Sequence, residues 1–183
     1  MIWFCGDWHF CHDKDFIWKA RGFNSVEEMN EAIVKRHNAR VTPEDTIYVL
    51  GDCALGNTAV AIEYIKQMNG HKVLIVGNHD TDERIKTYIE EGIFKDIQFG
   101  ARFKASKRTR FYLSHYPTFV NNFDDPVNVW NISAHTHSKE KFEIKDKKIY
   151  CVSLDAHDCC PVNIETILND INERKQNVRH QKN

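Results

Sequence analysis

Short apolar runs rich in β-branched and aromatic residues recur at Ile2–Cys5, Thr46–Leu50, Lys72–Val76, Arg110–Ser114, Val129–Ala134 and Lys148–Leu154, the composition of buried strands. Between the early runs the apolar spacing becomes helical. Ser25-Val26-Glu27-Glu28 has the spacing of a capping box ahead of Met29, Ile33 and Val34, with one side chain placed to satisfy each of two orphan amides. Thr58–Met68 ends at Asn69-Gly70, Asp80–Glu91 ends at Gly92, and a last helix is predicted near Ile164–Arg174. The first half therefore alternates strand and helix, and the second is mostly strand. An α/β fold follows, with polar groups gathered at the carboxyl ends of its strands.

Composition narrows the class. The chain has 183 residues, 42% hydrophobic and 28% charged, a globular balance that fits one domain, expected over residues 1–175, followed by a polar tail at 176–183. Lys plus Arg number 25 and Asp plus Glu 26, so no general electrostatic attraction for nucleic acid is expected. Lys104–Arg110 is locally basic; it reads as a solvated hairpin tip or, more sharply, as a phosphate-contacting patch. Met1 leads straight into Ile2-Trp3-Phe4-Cys5 without a basic n-region, and no run approaches the length of a membrane span. A cytoplasmic protein without a membrane partner is the expectation, and nothing specifies an oligomeric state. The six cysteines contain no C-x-x-C pair and are expected to be reduced and packed in the core.

The chemistry lies where the strand-like runs stop. Gly6-Asp7-Trp8-His9, Gly51-Asp52, Gly77-Asn78-His79-Asp80, Ser114-His115 and Ala134-His135-Thr136-His137 each follow such a run. Asp-x-His and His-x-His put alternate side chains on one side of an extended backbone, where they can converge on one ion. Carboxylate, imidazole and amide donors suit manganese, iron, nickel or zinc rather than calcium or a thiolate-bound zinc. Asp7, His9, Asp52, Asn78, His115, His135 and His137 are too many ligands for one tetrahedral site. They suit two divalent ions sharing a carboxylate, the pair that sits roughly 3.5–4 Å apart and clamps a phosphate ester. Cap and turn residues arising independently at five strand ends are the competing explanation, and each would need its own hydrogen-bond partner.

These motifs, in this order, resemble those of the calcineurin-like metallophosphoesterases: D-x-H, G-D, G-N-H-[DE], H and G-H-x-H. Arg21–Asn30, Asp155-Ala156 and Pro161-Val162 extend the resemblance to the family's short single-domain branch. The resemblance implies two packed mixed β-sheets flanked by helices. It also implies a division of ligands: Asp7, His9 and His137 for one ion, Asn78, His115 and His135 for the other, and Asp52 between them. His79 would then act on substrate, protonating or stabilising the leaving alkoxide, while Asn78 adds a hydrogen bond and a metal-activated hydroxide attacks phosphorus. Ala134 departs from the family's glycine, and a small backbone adjustment is expected there.

Further assignments rest on less. Asp80 either orients His79 or caps the helix that follows. His12 either reaches a substrate phosphate or is an exposed loop residue; Arg21 either clamps phosphate or forms a surface ion pair; His157 is a candidate pocket residue. His37 and His71 read as structural or exposed, and Trp3, Trp18 and Trp130 as packing residues. The expected substrate is a small phosphodiester, a cyclic or other nucleotide, with manganese the favoured metal and the loops His12–Asn24 and Tyr116–Pro126 setting the choice. A nuclease acting on DNA or RNA is the alternative, with nucleic acid the less favoured partner; a protein phosphatase or a metal-free scaffold stands behind it.

Overall fold

A computed structural model describes residues 1–120, 128–144 and 147–180; residues 121–126 of the second predicted substrate loop and 181–183 of the tail lie outside the described residues. The element order is β1 (Ile2–Cys5), α1 (Asp15–Trp18), α2 (Val26–Asn38), β2 (Thr46–Val49), α3 (Thr58–Lys66), β3 (His71–Ile75), α4 (Asp82–Glu90), β4 (Asp96–Gln98) and β5 (Ala101–Lys104). It continues with β6 (Thr109–Leu113), β7 (Asn128–Ser133), β8 (Ile149–Cys151), a 3-10 turn (Leu154–His157), β9 (Val162–Asn163) and α5 (Ile164–His180).

Two mixed sheets form. The first runs β4-β3-β2-β1-β9 and the second β5-β6-β7-β8. β1 to β4 pair in parallel and β9 joins antiparallel, whereas in the second sheet only β5 is antiparallel. The two-residue period of a strand explains how one sheet serves two cores. Trp3, Cys5, Ile47, Val49 and Leu74 face the core covered by α2, α3 and α4. Phe4, Leu50 and Ile75 face the second sheet, meeting Phe111, Leu113, Trp130, Ile132 and Tyr150, with Ile167 and Ile171 of α5 closing one side. Phe4 makes edge contacts with Phe103 and Phe111 at 5.8 and 6.0 Å, a geometry that favours aromatic pairs.

Caps set the helix starts. Ser25 accepts the Glu28 amide and begins α2, and Asn57 accepts the Val60 amide and begins α3. Thr81, not Asp80, caps α4, which corrects the expected start of that helix. α5 continues to His180, beyond the predicted Arg174 and into the stretch assigned to a polar tail. Lys104–Arg110 spans the β5–β6 hairpin tip, as its charge implied. All six cysteines are free, and only Cys11 is not fully buried. Among the described residues, no helix is long and apolar enough to cross a membrane.

Candidate metal centre

The carboxyl ends of β1, β2 and β3 in one sheet and of β6 and β7 in the other open toward the same place. Asp7 and His9 follow β1, Asp52 follows β2, Asn78 follows β3, His115 follows β6, and His135 and His137 follow β7. Donor atoms of Asp7, His9 and His137 lie within 4.8 Å of one another, and so do those of Asp52, His115 and His135. Asn78 joins the second group through its Oδ1, 2.8 Å from His115 Nε2. Asp52 Oδ2 stands between the groups, 3.6 Å from His9 Nε2 and 3.5 Å from His115 Nε2. The structure thus brings all seven predicted ligands together, with the Asp52 carboxylate in the middle.

The backbone that achieves this is not extended, which corrects the strand-alternation argument. Asp7, His9, Asp52, His135 and His137 have φ of 57°, 51°, 56°, 74° and 52°, a left-handed conformation that costs an L-residue about 1–2 kcal/mol. Neighbouring bonds hold them there: the amides of Asp7, His9 and Phe10 donate to the carbonyls of Gly51, Asp52 and Cys53 at 3.0–3.1 Å. Strain of this kind persists only where surrounding structure over-determines it, and it clusters at functional sites. The loops also approach closely. A Cβ on Gly77 would sit 2.3 Å from Asp52 Oδ1, and one on Gly51 2.6 Å from His115 Nδ1. Ala134 is not among the residues with positive φ, and its methyl fills the space over Gly6.

Outer contacts fix the ring nitrogens. His115 Nδ1 donates to the Leu50 carbonyl at 2.7 Å, and His137 Nδ1 donates to Asp155 Oδ2 at 2.9 Å, so each ring turns Nε2 toward the cluster. A carboxylate or carbonyl behind a ligating histidine sets its tautomer and raises its basicity. Burial opposes a charge on His137, but the Asp155 hydrogen bond and the negative charges of Asp7 and Asp155 together outweigh it and hold the pKa up. Asp155 is held low in turn: burial works against its charge, and His137 and Arg21 overcome it.

Donor chemistry and satisfaction both fit cations. Asp7 Oδ1 and both ring nitrogens of His9 are buried with no hydrogen-bond partner among the described residues, a rare condition that calls for an explanation. Burial pushes the Asp7 carboxyl up to about 6 and the His9 imidazole down to about 2, with His137 and Arg21 adding to the latter. The pocket alone stabilises neither a lone anion nor an imidazolium; a bound cation would stabilise the carboxylate and use the neutral imidazole.

His79 stands at the open side, its side chain 42% exposed and its Nε2 4.0 Å from Asp52 Oδ2. Its amide donates to Asp52 Oδ1 at 2.8 Å and its carbonyl accepts from Arg84 at 2.6 Å. Asp80 neither orients that ring nor caps α4. Its buried carboxylate accepts the amides of Asp52, Cys53 and Gly77 at 2.9, 3.1 and 2.9 Å, tying two ligand loops together. His12 lines the cavity of about 530 Å³ that holds His9, Asp52, Asn78, His79, His135 and His137.

Two substrate-facing expectations are corrected. Arg21 is buried, its side chain 1% exposed, and its guanidinium is committed to Asp155 at 3.1 and 2.8 Å and to the carbonyls of Trp8 and Asp7. It is neither a surface pair nor free for phosphate; it fixes the Asp7 loop and the carboxylate behind His137. His157 bonds the Cys151 carbonyl at 2.9 Å and lies in a different cleft, beside Trp3 and Pro161. The basic stretch Lys104–Arg110 does not line the metal cavity either. Asp155 was the functional residue that site reasoning missed; its only signal in the sequence was family likeness.

The comparisons with known proteins agree with this geometry. The model of the calcineurin-like phosphoesterase family matches residues 1–178, and the chain belongs to that family. It is accordingly a metal-dependent phosphoesterase, a hydrolase of phosphoric esters. It is 29% identical over 184 residues to the uncharacterized protein MJ1445 of Methanocaldococcus jannaschii, covering 95% of this chain and 93% of that one. The Gene 66 protein of Mycobacterium phage L5 is 27% identical over 161 residues, 74% of this chain and 77% of the phage protein. The crystal structure of the Aquifex aeolicus protein of unknown function AQ665 shares the fold, with a TM-score of 0.67, 23% identity, and coverage of 92% of this chain and 98% of that one.

Proposed function

We propose that residues 1–175 form one phosphodiesterase unit working with two divalent ions, manganese favoured, on a small nucleotide diester. Asp7, His9 and His137 would hold one ion, Asn78, His115 and His135 the other, with Asp52 shared. The supporting observation is the Asp52 carboxylate oxygen midway between two donor groups, 3.6 and 3.5 Å from their histidines. When bound, such ions supply an acidified water and neutralise charge on phosphoryl oxygens.

The chain's own residues do the rest. Asn78 and His79 stand at the cavity where hydrogen bonds to phosphoryl oxygens are available, and charge stabilisation of this kind is strong in a partly dry site. The exposed edge of His79 can give a proton to the leaving alkoxide, a role worth about 10²–10⁴-fold in rate. His12, on the same wall, is a further substrate contact. Burial first, and then the nearby His79, lower the pKa of its imidazole.

A panel of phosphomonoesters, cyclic nucleotides, dinucleotides and oligonucleotides, assayed with added manganese and again after chelation, tests the reading. Hydrolysis should require metal and favour diesters; full activity in metal-stripped protein would overturn it. His79→Asn should keep the metal content and lose about 10²–10⁴-fold in turnover, whereas metal loss in that variant would return His79 to the ligand set.

A further inference from the structure

Two exposed aromatic side chains stand beside the donor groups, one at each. Phe16 on α1 is 69% exposed while its neighbour Ile17 is buried and anchors the helix. Phe16 lines the same cavity as Asp52 and His79. Its ring meets His12 edge-on at 5.6 Å, and His12 lies 5.3 Å from His9 of the first group. Tyr116, 51% exposed, packs 4.5 Å from His135 and 5.1 Å from His115 of the second group.

Single exposed apolar residues are ordinary on a protein surface. Tyr116 is different because its backbone is locked. Its carbonyl accepts from Ser114 Oγ at 2.8 Å and Thr118 Oγ1 at 3.0 Å. The Thr118 amide donates to Asn131 Oδ1 at 2.8 Å, and buried Asn131 also donates to the Tyr112 carbonyl and to Ser114 Oγ at 3.0 and 2.8 Å. A polar network anchored on buried Asn131 thus fixes the backbone that carries the ring, while His115 and His135 flank the ring itself. On the Phe16 side, Ile17, Ala20 and Leu55 make the adjoining cavity wall apolar, suited to the face of a planar group rather than to reading its polar edge.

We infer that Phe16 and Tyr116 are stacking platforms for the two planar groups of a linear phosphodiester, one on each side of phosphorus, the chemistry of an internucleoside linkage. The inference rests on the phosphodiesterase reading and sharpens its substrate. A cyclic nucleotide carries one base and engages one platform; a dinucleotide engages both. Base stacking on an aromatic side chain is worth about 1–3 kcal/mol, or about 5- to 150-fold in affinity per platform.

The test compares manganese-loaded wild type, Phe16→Ala and Tyr116→Ala on adenylyl-3′,5′-adenosine, an oligoadenylate and methyl p-nitrophenyl phosphate. Binding of adenosine 5′-monophosphate and ribose 5-phosphate to the same proteins is measured at equilibrium. Each alanine variant should raise KM for the dinucleotide about 5- to 150-fold, the loss falling on KM rather than kcat, and Phe16→Tyr and Tyr116→Phe should restore it. The one-ring ester should respond to at most one variant. Wild type should prefer adenosine 5′-monophosphate over ribose 5-phosphate by about fivefold or more. Equal binding of those two ligands, or equal responses of the two-ring and one-ring esters, would overturn the inference. A free dinucleotide and an oligonucleotide end both satisfy it, and the ratio of their KM values separates the two sources. Ring preference in binding without hydrolysis of any diester would sink the phosphodiesterase reading and keep the platforms; hydrolysis of methyl p-nitrophenyl phosphate without ring preference would do the reverse.

Discussion

Asp80 holds the ligand loops together, and removing its carboxylate should cost more than its distance from the substrate suggests. Oδ2 takes the amides of Asp52 and Gly77 at 2.9 Å and Oδ1 takes that of Cys53 at 3.1 Å, all buried. In Asp80→Ala three donors lose their acceptor where water does not reach, at about 1–3 kcal/mol each before relaxation. Part of that is returned, because burial already pushes the Asp80 carboxyl up against the pull of its three donors, so the charge is not free to keep. A net loss of about 3–5 kcal/mol is expected, in the range for breaking a buried charged contact. In Asp80→Asn the amide oxygen can keep the two bonds made by Oδ2 while the amide nitrogen faces the Cys53 donor, a loss of about 1.5–3 kcal/mol. Urea unfolding in chelator, which removes the contribution of bound metal, should therefore order the proteins wild type, Asn, Ala. A loss below about 1 kcal/mol for alanine, or an asparagine variant as unstable as alanine, would refute the reasoning.

Asp155→Asn should weaken metal binding about 10- to 100-fold by removing the charge behind His137, read by competition with a chromogenic chelator; unchanged affinity would contradict that role. Gly77→Ala drives a methyl onto Asp52 Oδ1, Asp52 N and Gly51 Cα at 2.3, 2.6 and 2.9 Å; expected are a stability loss of about 1–3 kcal/mol and weaker metal retention in the same titration. His37 is buried against the Asn69 carbonyl, 2.9 Å away, and burial lowers its pKa from 6.5 to about 4 despite that bond. Because the folded pKa is the lower one, its contribution is whole above about pH 6.5 and is lost as pH falls toward 4, about 3 kcal/mol in all. His37→Gln should flatten that part of the stability profile in urea titrations from pH 7 to 4; parallel profiles would contradict it.

Residues that act through local chemistry were legible in the sequence, and those that act through distant pairing were not. β1, β2, β3, β6, β7 and β8 were visible because buried parallel strands read as continuous apolar runs, and the ligand motifs because each follows such a run. β4 and β5 escaped: they are short edge strands, only partly buried, so no apolar run marks them. β9 has two residues and exists only by pairing with β1. The left-handed φ values at Asp7, His9, Asp52, His135 and His137 could not be read from residue type, since Asp and His are also common in ordinary loops. Arg21 and Asp155 are 134 positions apart, and only the folded chain shows that they meet and that the arginine faces inward. Asp80 looked like a helix cap because it lies just before α4; besides Gly77, its partners are 27 and 28 positions upstream, at Cys53 and Asp52.

The paired-ion centre is tested most directly by counting metal. Equilibrium dialysis of chelator-stripped protein against manganese, followed by elemental analysis, should give two saturable ions per chain for wild type. Asp52→Asn, which removes the charge standing 3.6 and 3.5 Å from His9 and His115, should retain no more than one under the same conditions. A single saturable ion or none in wild type, or two held with unchanged affinity in the variant, would contradict a centre built around Asp52.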